Sequence, residues 1–339
     1  MRLNLDPRLY TDPATLGAER DRIFARTWQF AGPAAQVATP GAYVALDVAG
    51  IALVALRGRD GVLRAFRNAC RHRGAKLVAE GTGDCAGRLR CPYHQWVFAD
   101  DGRLLHAPWF GEEPGFDPAD WPLEPVQAAV WRGLLFVALD PEGPLEDQLG
   151  DLVEELADEP IETYTATDTG RIAFAANWKT YTDNFVEGYH IPGIHPSFHA
   201  AIDFEAFRTT AHRGFVRMIA PPKGELFYRG KWLWMWPNWT LSLFGGGMNT
   251  SRINPLAVDR TVQDYWFWFA DTSAPGAAAR ARSVEGTMGV VAEDAGVCAA
   301  TQANYAAGNY RPGPLSPRHE AGVAYFQDRV AAALARAAA

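Results

Sequence analysis

The chain has 339 residues, 48% of them hydrophobic and 21% charged, with a formal net charge of −7. That length buries a large core and predicts two domains, and the acidic balance, without a basic cluster, argues against a nucleic-acid partner. No uninterrupted apolar run approaches the ~18 residues of a membrane span, and the opening MRLNLDPRLYTDP lacks the apolar segment of a signal peptide, so no membrane partner is expected.

Residues 13–30 carry helical periodicity, with Pro13 suited to a first turn. From about Gly32 the texture changes to short apolar runs (YVALDVAG, IALVALRG, VLRAF) punctuated by Gly, Pro and Asp-Gly pairs. Asp60-Gly61 and Asp101-Gly102 are hairpin signals. Residues 32–140 are expected to form a small antiparallel β domain that closes on WRGLLFVAL. Eleven acidic residues and no Lys or Arg fall in 140–168, which leaves the rest of the chain at net +4. Within that run DLVEELADE reads as a solvated helix near a domain junction, placed at 141–154. RIAFAANW then opens a second region of strands and helices, and residues 1–31 and 155–339 are assigned to it.

The four cysteines (Cys70, Cys85, Cys91 and Cys298) are too few for a disulfide scaffold in a chain of this length and fit a reducing cytoplasm. Two of them sit in paired loops of the β domain, CRHRGAKLV and CPYHQWVF. Cys70, His72, Cys91 and His94 are spaced C-x-H and C-x-x-H. Two thiolates and two imidazoles can hold one zinc, or a two-iron cluster with the cysteines on one iron and the histidines on the other. C-x-H is tighter than a zinc-finger knuckle, and each loop supplies one Cys and one His. With Arg73-Gly74 and Pro92-Tyr93, the two loops resemble the Rieske [2Fe–2S] domain. Neutral imidazoles in place of thiolates raise the potential of such a cluster. Cys85 reads as a bystander.

The stretch 177–196, NWKTYTDNFVEGYHIPGIHP, holds His190 and His195 beside Asp183, Asn184 and Glu187. Asp183, Glu187 and His190 are spaced i, i+4, i+7, so one helical face would carry all three, before Pro192 and Gly193 interrupt the helix. A pair of histidines at a helix end is more often capping or core than metal-ligating, so this stretch alone leaves the matter open. Further on, residues 231–243 (KWLWMWPNWTLSL) alternate as a strand with Trp232, Trp234 and Trp236 on one face, and 261–269 reads as another strand. Ala-rich helices are expected over 283–307 and from Val323 onward.

A Rieske-type domain followed by N-W-K-x-x-x-D-N-x-x-E-x-Y-H-x4-H resembles the α (terminal oxygenase) subunit of the Rieske non-haem iron oxygenases. The resemblance implies an α+β fold, with a small antiparallel β Rieske domain and a larger catalytic domain of antiparallel sheet covered by helices (helix-grip, START-like). It implies two cofactors, a [2Fe–2S] cluster on Cys70, His72, Cys91 and His94 and a mononuclear Fe(II) on two histidines and one aspartate. By motif the histidines are His190 and His195. The late sequence Glu293-Asp294 with Cys298 and Gln302 resembles the family's E-D-x3-C-x3-Q pattern and gives Asp294 as the third ligand, with Glu293 competing for the place. Glu187 matches the acid that bridges the two metal centres between neighbouring subunits, and Asn184 and Asp183 are supporting candidates. The resemblance further implies O2 as co-substrate, NAD(P)H electrons through a flavin/iron–sulfur reductase, with or without a ferredoxin, and a homotrimer.

Glu187 and the Trp-rich segment resemble the choline, carnitine and betaine monooxygenase branch, and aromatic faces attract quaternary ammonium by ~0.5–2 kcal/mol per contact. Trp234, Trp236, Trp239 and Phe244 are the expected cage, and N-demethylation or monooxygenation of such a cation is the expected reaction. The alternatives are oxidation of an aromatic or heterocyclic acid and, outside enzymes, a Rieske electron carrier, which would need only about the first 140 residues. Gln95 departs from the glycine common after the second Rieske histidine.

Overall fold

The structure, a computed structural model, describes residues 1–223 and 228–336. It divides into two compact units, Ala25–Glu142 and the combination of Met1–Phe24 with Gly143–Ala339.

In the smaller unit the alternating apolar runs pair as an antiparallel sheet. Its strand order is Gln29–Pro33, Leu134–Ala138, Pro125–Trp131, Leu63–Arg67, Ile51–Arg57, Ala42–Val48 and Gly81–Asp84. A second small sheet is built from Arg88–Arg90, Val97–Ala99 and Leu104–His106. Both Asp-Gly signals fall in turns, with φ at Gly61 of +79° and at Gly102 of +89°. At Gly102 a side chain is excluded as well, because a Cβ would come within 2.6 Å of the Phe66 ring. Leu56, Phe66, Leu77, Leu89, Trp96 and Phe98 form the core between the sheets, and Cys70 and Cys91 are buried in that cluster.

The larger unit is a seven-stranded antiparallel sheet among the described residues. Its order is Thr165–Phe174, Arg260–Phe269, Gly247–Ala257, Trp239–Phe244, Tyr228–Met235, Phe215–Ile219 and Arg208–Ala211. Helices Trp178–Phe185, Ala277–Ala306 and Ala321–Ala335 pack on it and on each other. The long helix Ala277–Ala306 buries Ser283, Thr287, Val291, Asp294, Cys298 and Gln302. These recur every three or four residues, so one stripe faces inward, and it is unusually polar. Among the described residues no helix is long and apolar enough to cross a membrane.

Four local expectations change. The helix expected over 13–30 is Pro13–Glu19, continued by a π-helical turn Arg20–Phe24, and a strand begins at Gln29. The run 231–243 is two strands folded back at 236–238, where Trp236 precedes Pro237. The acidic run is not simply solvated. Glu155 pairs with Arg217 and Lys231, each at 2.9 Å, and Glu159 with Arg229 at 2.7 Å, so these acids tie their segment to the sheet. The helix carrying Asp183 ends at Phe185, so Asp183, Glu187 and His190 do not share a helical face.

Candidate functional site

Two side-chain constellations have donor sets that could hold a metal, one in each unit. In the smaller unit the two loops close in the same way. The Cys70 N–H donates to Ala75 O and the Gly74 N–H to Cys70 O; the Cys91 N–H donates to Trp96 O and the Gln95 N–H to Cys91 O. Gly74 and Gln95 occupy the same turn position, with φ of +72° and +62°. Gln95 therefore takes the left-handed conformation that glycine adopts freely, at a cost of about 1–2 kcal/mol. Both cysteines are buried and unpaired, and burial, with the Cys91 thiol beside it, pushes the Cys70 thiol up. The imidazoles of His72 and His94 lie 4.5 Å apart, and His72 stacks on Trp96 at 4.9 Å.

The Nδ1 atoms of His72 and His94 are buried with no hydrogen-bond partner. A buried ring nitrogen without a partner is costly unless something occupies it. Two such nitrogens beside two buried thiols are the donor set of a [2Fe–2S] cluster, so the residues present fit that group.

In the larger unit the end of the helix Trp178–Phe185 feeds a turn, and His190 then caps the one-turn helix Ile191–Ile194, which delivers His195. Asp294 arrives from the inward stripe of the long helix. The donor atoms of His190, His195 and Asp294 lie within 4.8 Å of one another. Asp294 Oδ1 is 3.0 Å from His195 Nε2 and 3.7 Å from His190 Nε2, and it has no hydrogen-bond partner. The opposite ring nitrogens are each held by a carboxylate. His190 Nδ1 donates to Glu187 Oε1 and His195 Nδ1 to Glu293 Oε2, both at 2.6 Å. A carboxylate only accepts, so the N–H sits on Nδ1 and the Nε2 lone pairs face Asp294. Two imidazoles and one carboxylate on one side of a point, each imidazole oriented from behind, suit a non-haem iron. Burial alone would lower the basicity of His195, but Asp294 and Glu293 outweigh it and hold it above its ordinary value.

This geometry separates the two acidic candidates. Asp294 lies on the buried stripe, whereas Glu293 is one residue round the helix, 47% exposed, and reaches only the far side of His195. Glu187 accepts from the backbone N–H groups of Tyr189 and His190 as well as from the imidazole. Asn184 lines a cavity beside these side chains with a partnerless Oδ1.

Asp183 points elsewhere. It accepts from the Tyr10 hydroxyl at 2.7 Å and from Gln327 Nε2 at 3.2 Å. Burial pushes its carboxyl up to about 7, against the opposing pull of those hydrogen bonds and of Lys179. The folded state then binds a proton between the ordinary carboxylate value and about 7 that the unfolded chain does not, so stability falls as pH rises through that window. The loss should be on the order of 4 kcal/mol in urea melts between pH 4 and pH 8. Asp183→Asn is expected to flatten that slope; an unchanged slope would place the titration on another group.

A cavity of about 620 Å³, including its mouth, opens above the triad. Its walls are aromatic (Tyr181, Phe185, Phe198, Phe207, Trp232, Tyr265) with a polar patch of Ser242, Asn249 and Thr287. The expected cage is not there. Trp232 lines the cavity; Trp234, two residues farther along the same face, lies about 7 Å on and packs against Phe326 of the last helix. Trp236 lies under Arg329 at 4.6 Å. Trp239 pairs in register with Met235, which puts it on the opposite face, and Phe244 stacks on Phe269 at 6.1 Å. For Trp234 and Trp236 the alternation gives the face they share with Trp232 but not the position along it; for Trp239 the face itself differs.

The motif named Gln302 without its role, and two further supporting residues, Glu19 and Gly188, escaped the sequence reading. Gln302 accepts from the Asn177 N–H and the Thr180 hydroxyl, fastening the long helix to the start of the histidine-bearing segment. Glu19 accepts from Trp178 Nε1 at 2.7 Å and pairs with Lys179 at 2.6 Å. Gly188 lets the Phe207 ring close the cavity, since a Cβ there would come within 2.4 Å of it. Periodicity marks Gln302 as inward-facing, but no sequence signal links Glu19 to a lysine 160 positions away.

Two family models match the chain: the Rieske [2Fe–2S] domain over residues 27–117 and the ring hydroxylating alpha subunit catalytic domain over 161–225 and 207–336. The carnitine monooxygenase oxygenase subunit of Escherichia coli (strain K12) is 31% identical over 278 residues, 78% of this chain and 74% of that protein. The chloroplastic choline monooxygenase of Amaranthus tricolor is 30% identical over 278 residues, 76% of this chain and 61% of that protein. The solved structure of a quaternary ammonium Rieske monooxygenase, described as giving insight into carnitine oxidation and inter-subunit electron transfer, superposes with a TM-score of 0.85. It is 26% identical and covers 98% of this chain and 95% of its own.

Proposed function

The chain belongs to the Rieske-type ring-hydroxylating oxygenase α-subunit family, whose members take electrons from a reductase, and from that premise we propose that it oxidises a quaternary ammonium compound at the His190, His195 and Asp294 site. The observation that carries the reading is the convergence of those three side chains at the floor of a cavity walled by aromatic faces.

Cys70, His72, Cys91 and His94 would hold the [2Fe–2S] cluster, and His190, His195 and Asp294 the iron. The iron, when bound, supplies a centre at which O2 and two electrons from the reductase become an oxidant for a C–H bond. The protein does the rest. Glu187 and Glu293 fix the two imidazoles so that both Nε2 atoms face inward. Phe198, Phe207 and Trp232 exclude water and offer π-faces to a cation. With O2, two electrons and two protons, an N-methyl group becomes N-hydroxymethyl with release of water; its C–N bond then breaks to give formaldehyde, a tertiary amine and a proton. Ring oxidation of an aromatic or heterocyclic acid is the second reading, favoured by the same aromatic walls.

The reading also makes the chain one subunit of a homotrimer, with Glu187 joining His190 to a Rieske histidine of the next copy, and places it in the cytoplasm, where its unpaired cysteines stay reduced. Glu187→Gln should keep both metals but slow transfer between them by about 10–100-fold in single-turnover kinetics, the usual range for a group orienting a ligand; an unchanged rate would remove Glu187 from that path. The general test is oxygen uptake with a generic reductase across choline, carnitine, betaines and aromatic acids. Formaldehyde release with the ammonium compounds supports the proposal, and uptake only with aromatic acids refutes it.

A further inference from the structure

Besides Asn184 Oδ1 and Asp294 Oδ1 beside the histidines, one more buried polar atom of the cavity, on the sheet side, is left without a partner by the described residues, and its chemistry bears on which cation is bound. Asn249 lies on the interior strand Gly247–Ala257, is 1% exposed, and lines the cavity. Its Nδ2 donates to Thr287 Oγ1 at 3.4 Å. The Thr287 hydroxyl hydrogen is committed to Ser283 O at 2.8 Å, so toward Asn249 that oxygen can only accept. This fixes which way the amide faces and leaves Asn249 Oδ1 as a buried acceptor with no partner. A buried acceptor in this state calls for a donor from whatever fills the cavity.

The surrounding charge narrows the donor further. The ionisable side chains lining the cavity are Glu187, His190, His195, Asp294 and the phenols of Tyr181 and Tyr265, and no Lys or Arg lines it among the described residues. Residues 224–227 are Gly, Glu, Leu and Phe and contribute none either. A substrate carboxylate would meet the Asn249 acceptor with no cation to compensate. A hydroxyl would donate to it.

Resting on the reading of this site as a quaternary-ammonium oxygenase, we infer that Asn249 determines substrate specificity: its Oδ1 accepts a hydrogen bond from a substrate hydroxyl and selects a trimethylammonium alcohol over the corresponding carboxylate. Thr287 acts as a positioning residue by holding the amide. The polar patch is also displaced from the metal triad. Thr287 and Asp294 are seven residues apart on one helix, about 10 Å along its axis. With its hydroxyl at Asn249, a short ammonium alcohol directs its N-methyl groups, not its carbinol carbon, toward His190, His195 and Asp294, so formaldehyde is the expected product.

Three probes of matched size test this on the metal-loaded enzyme: choline, ethyltrimethylammonium, which lacks the hydroxyl, and glycine betaine, which replaces it with a carboxylate. KM from formaldehyde release and Kd from anaerobic calorimetry should both favour choline over the other two by about tenfold or more, because a site built to bond a hydroxyl rejects analogues without it. In Asn249→Leu that preference should collapse toward unity, carried by KM and Kd rather than kcat. Thr287→Val, which frees the amide to turn without altering it, should reduce the preference partly and keeps the test open should the leucine variant fold poorly. If all three probes are oxidised with equal KM, or if both variants keep the choline preference, the Asn249 inference falls while the proposed function stands. If none of the three is oxidised while another quaternary ammonium compound is, the Asn249 inference alone falls; if no quaternary ammonium compound is oxidised, both fall.

Discussion

Asp294→Ala should abolish turnover while leaving the Rieske chromophore intact. The wild-type carboxylate sits 3.0 Å from His195 Nε2 and 3.7 Å from His190 Nε2, with no other bond to occupy it. Alanine leaves two imidazoles, too few to retain the ion. Groups that merely orient a ligand cost about 10–100-fold when removed, so loss of a ligand itself is expected to exceed a hundredfold in activity. Iron analysis should fall from three to two per chain, with the visible bands of the cluster unchanged. Glu293→Gln, which touches only His195 Nδ1, should show the smaller effect. The reverse order, with Glu293→Gln inactive and Asp294→Ala active, would exchange the two roles.

Glu19→Ala is expected to be the most destabilising single change outside the metal sites. Glu19 and Lys179 are both 0% exposed and 2.6 Å apart, and Lys179 also lies over the Tyr10 ring at 5.1 Å. Burial already lowers the basicity of this lysine, and Glu19 opposes that. Removing one partner of a buried pair leaves an uncompensated charge, at about 3–5 kcal/mol. The Trp178 Nε1 donor loses its acceptor as well. For a domain whose whole stability is ordinarily about 5–15 kcal/mol, urea titration should show a large fall in midpoint. Glu19→Leu combined with Lys179→Met should recover most of it, because apolar replacement of both partners is often neutral. A single variant within about 1 kcal/mol of wild type would mean that Lys179 is neutral in the folded protein.

Much of this was legible in the residues. Cys70, His72, Cys91 and His94 announce themselves because two short loops each carry both donor types at fixed spacing. His190 and His195 became readable once that first constellation was in view, and Asp294 through its spacing to Cys298 and Gln302. What escaped depends on where the chain folds back. The helix before Glu187 ends at Phe185, so Asp183 turns to Tyr10 and Gln327 instead of joining His190, His195 and Asp294. Strand periodicity reports a face but not a height on it, so Trp234 and Trp236 were expected where Trp232 stands. Asn249 carries no local signal at all. It is a polar residue inside a strand, and only the Thr287 hydroxyl of a distant helix shows that its acceptor is open.

The most direct measurement is a single turnover without any reductase. The cluster is reduced chemically, excess dithionite is removed, and the enzyme is mixed with oxygen and a trimethylammonium substrate in a rapid-quench experiment. The account predicts formaldehyde formed at the rate at which the cluster reoxidises, with that reoxidation accelerated by the substrate. Reoxidation at an unchanged rate, with no formaldehyde from any quaternary ammonium compound, would contradict it.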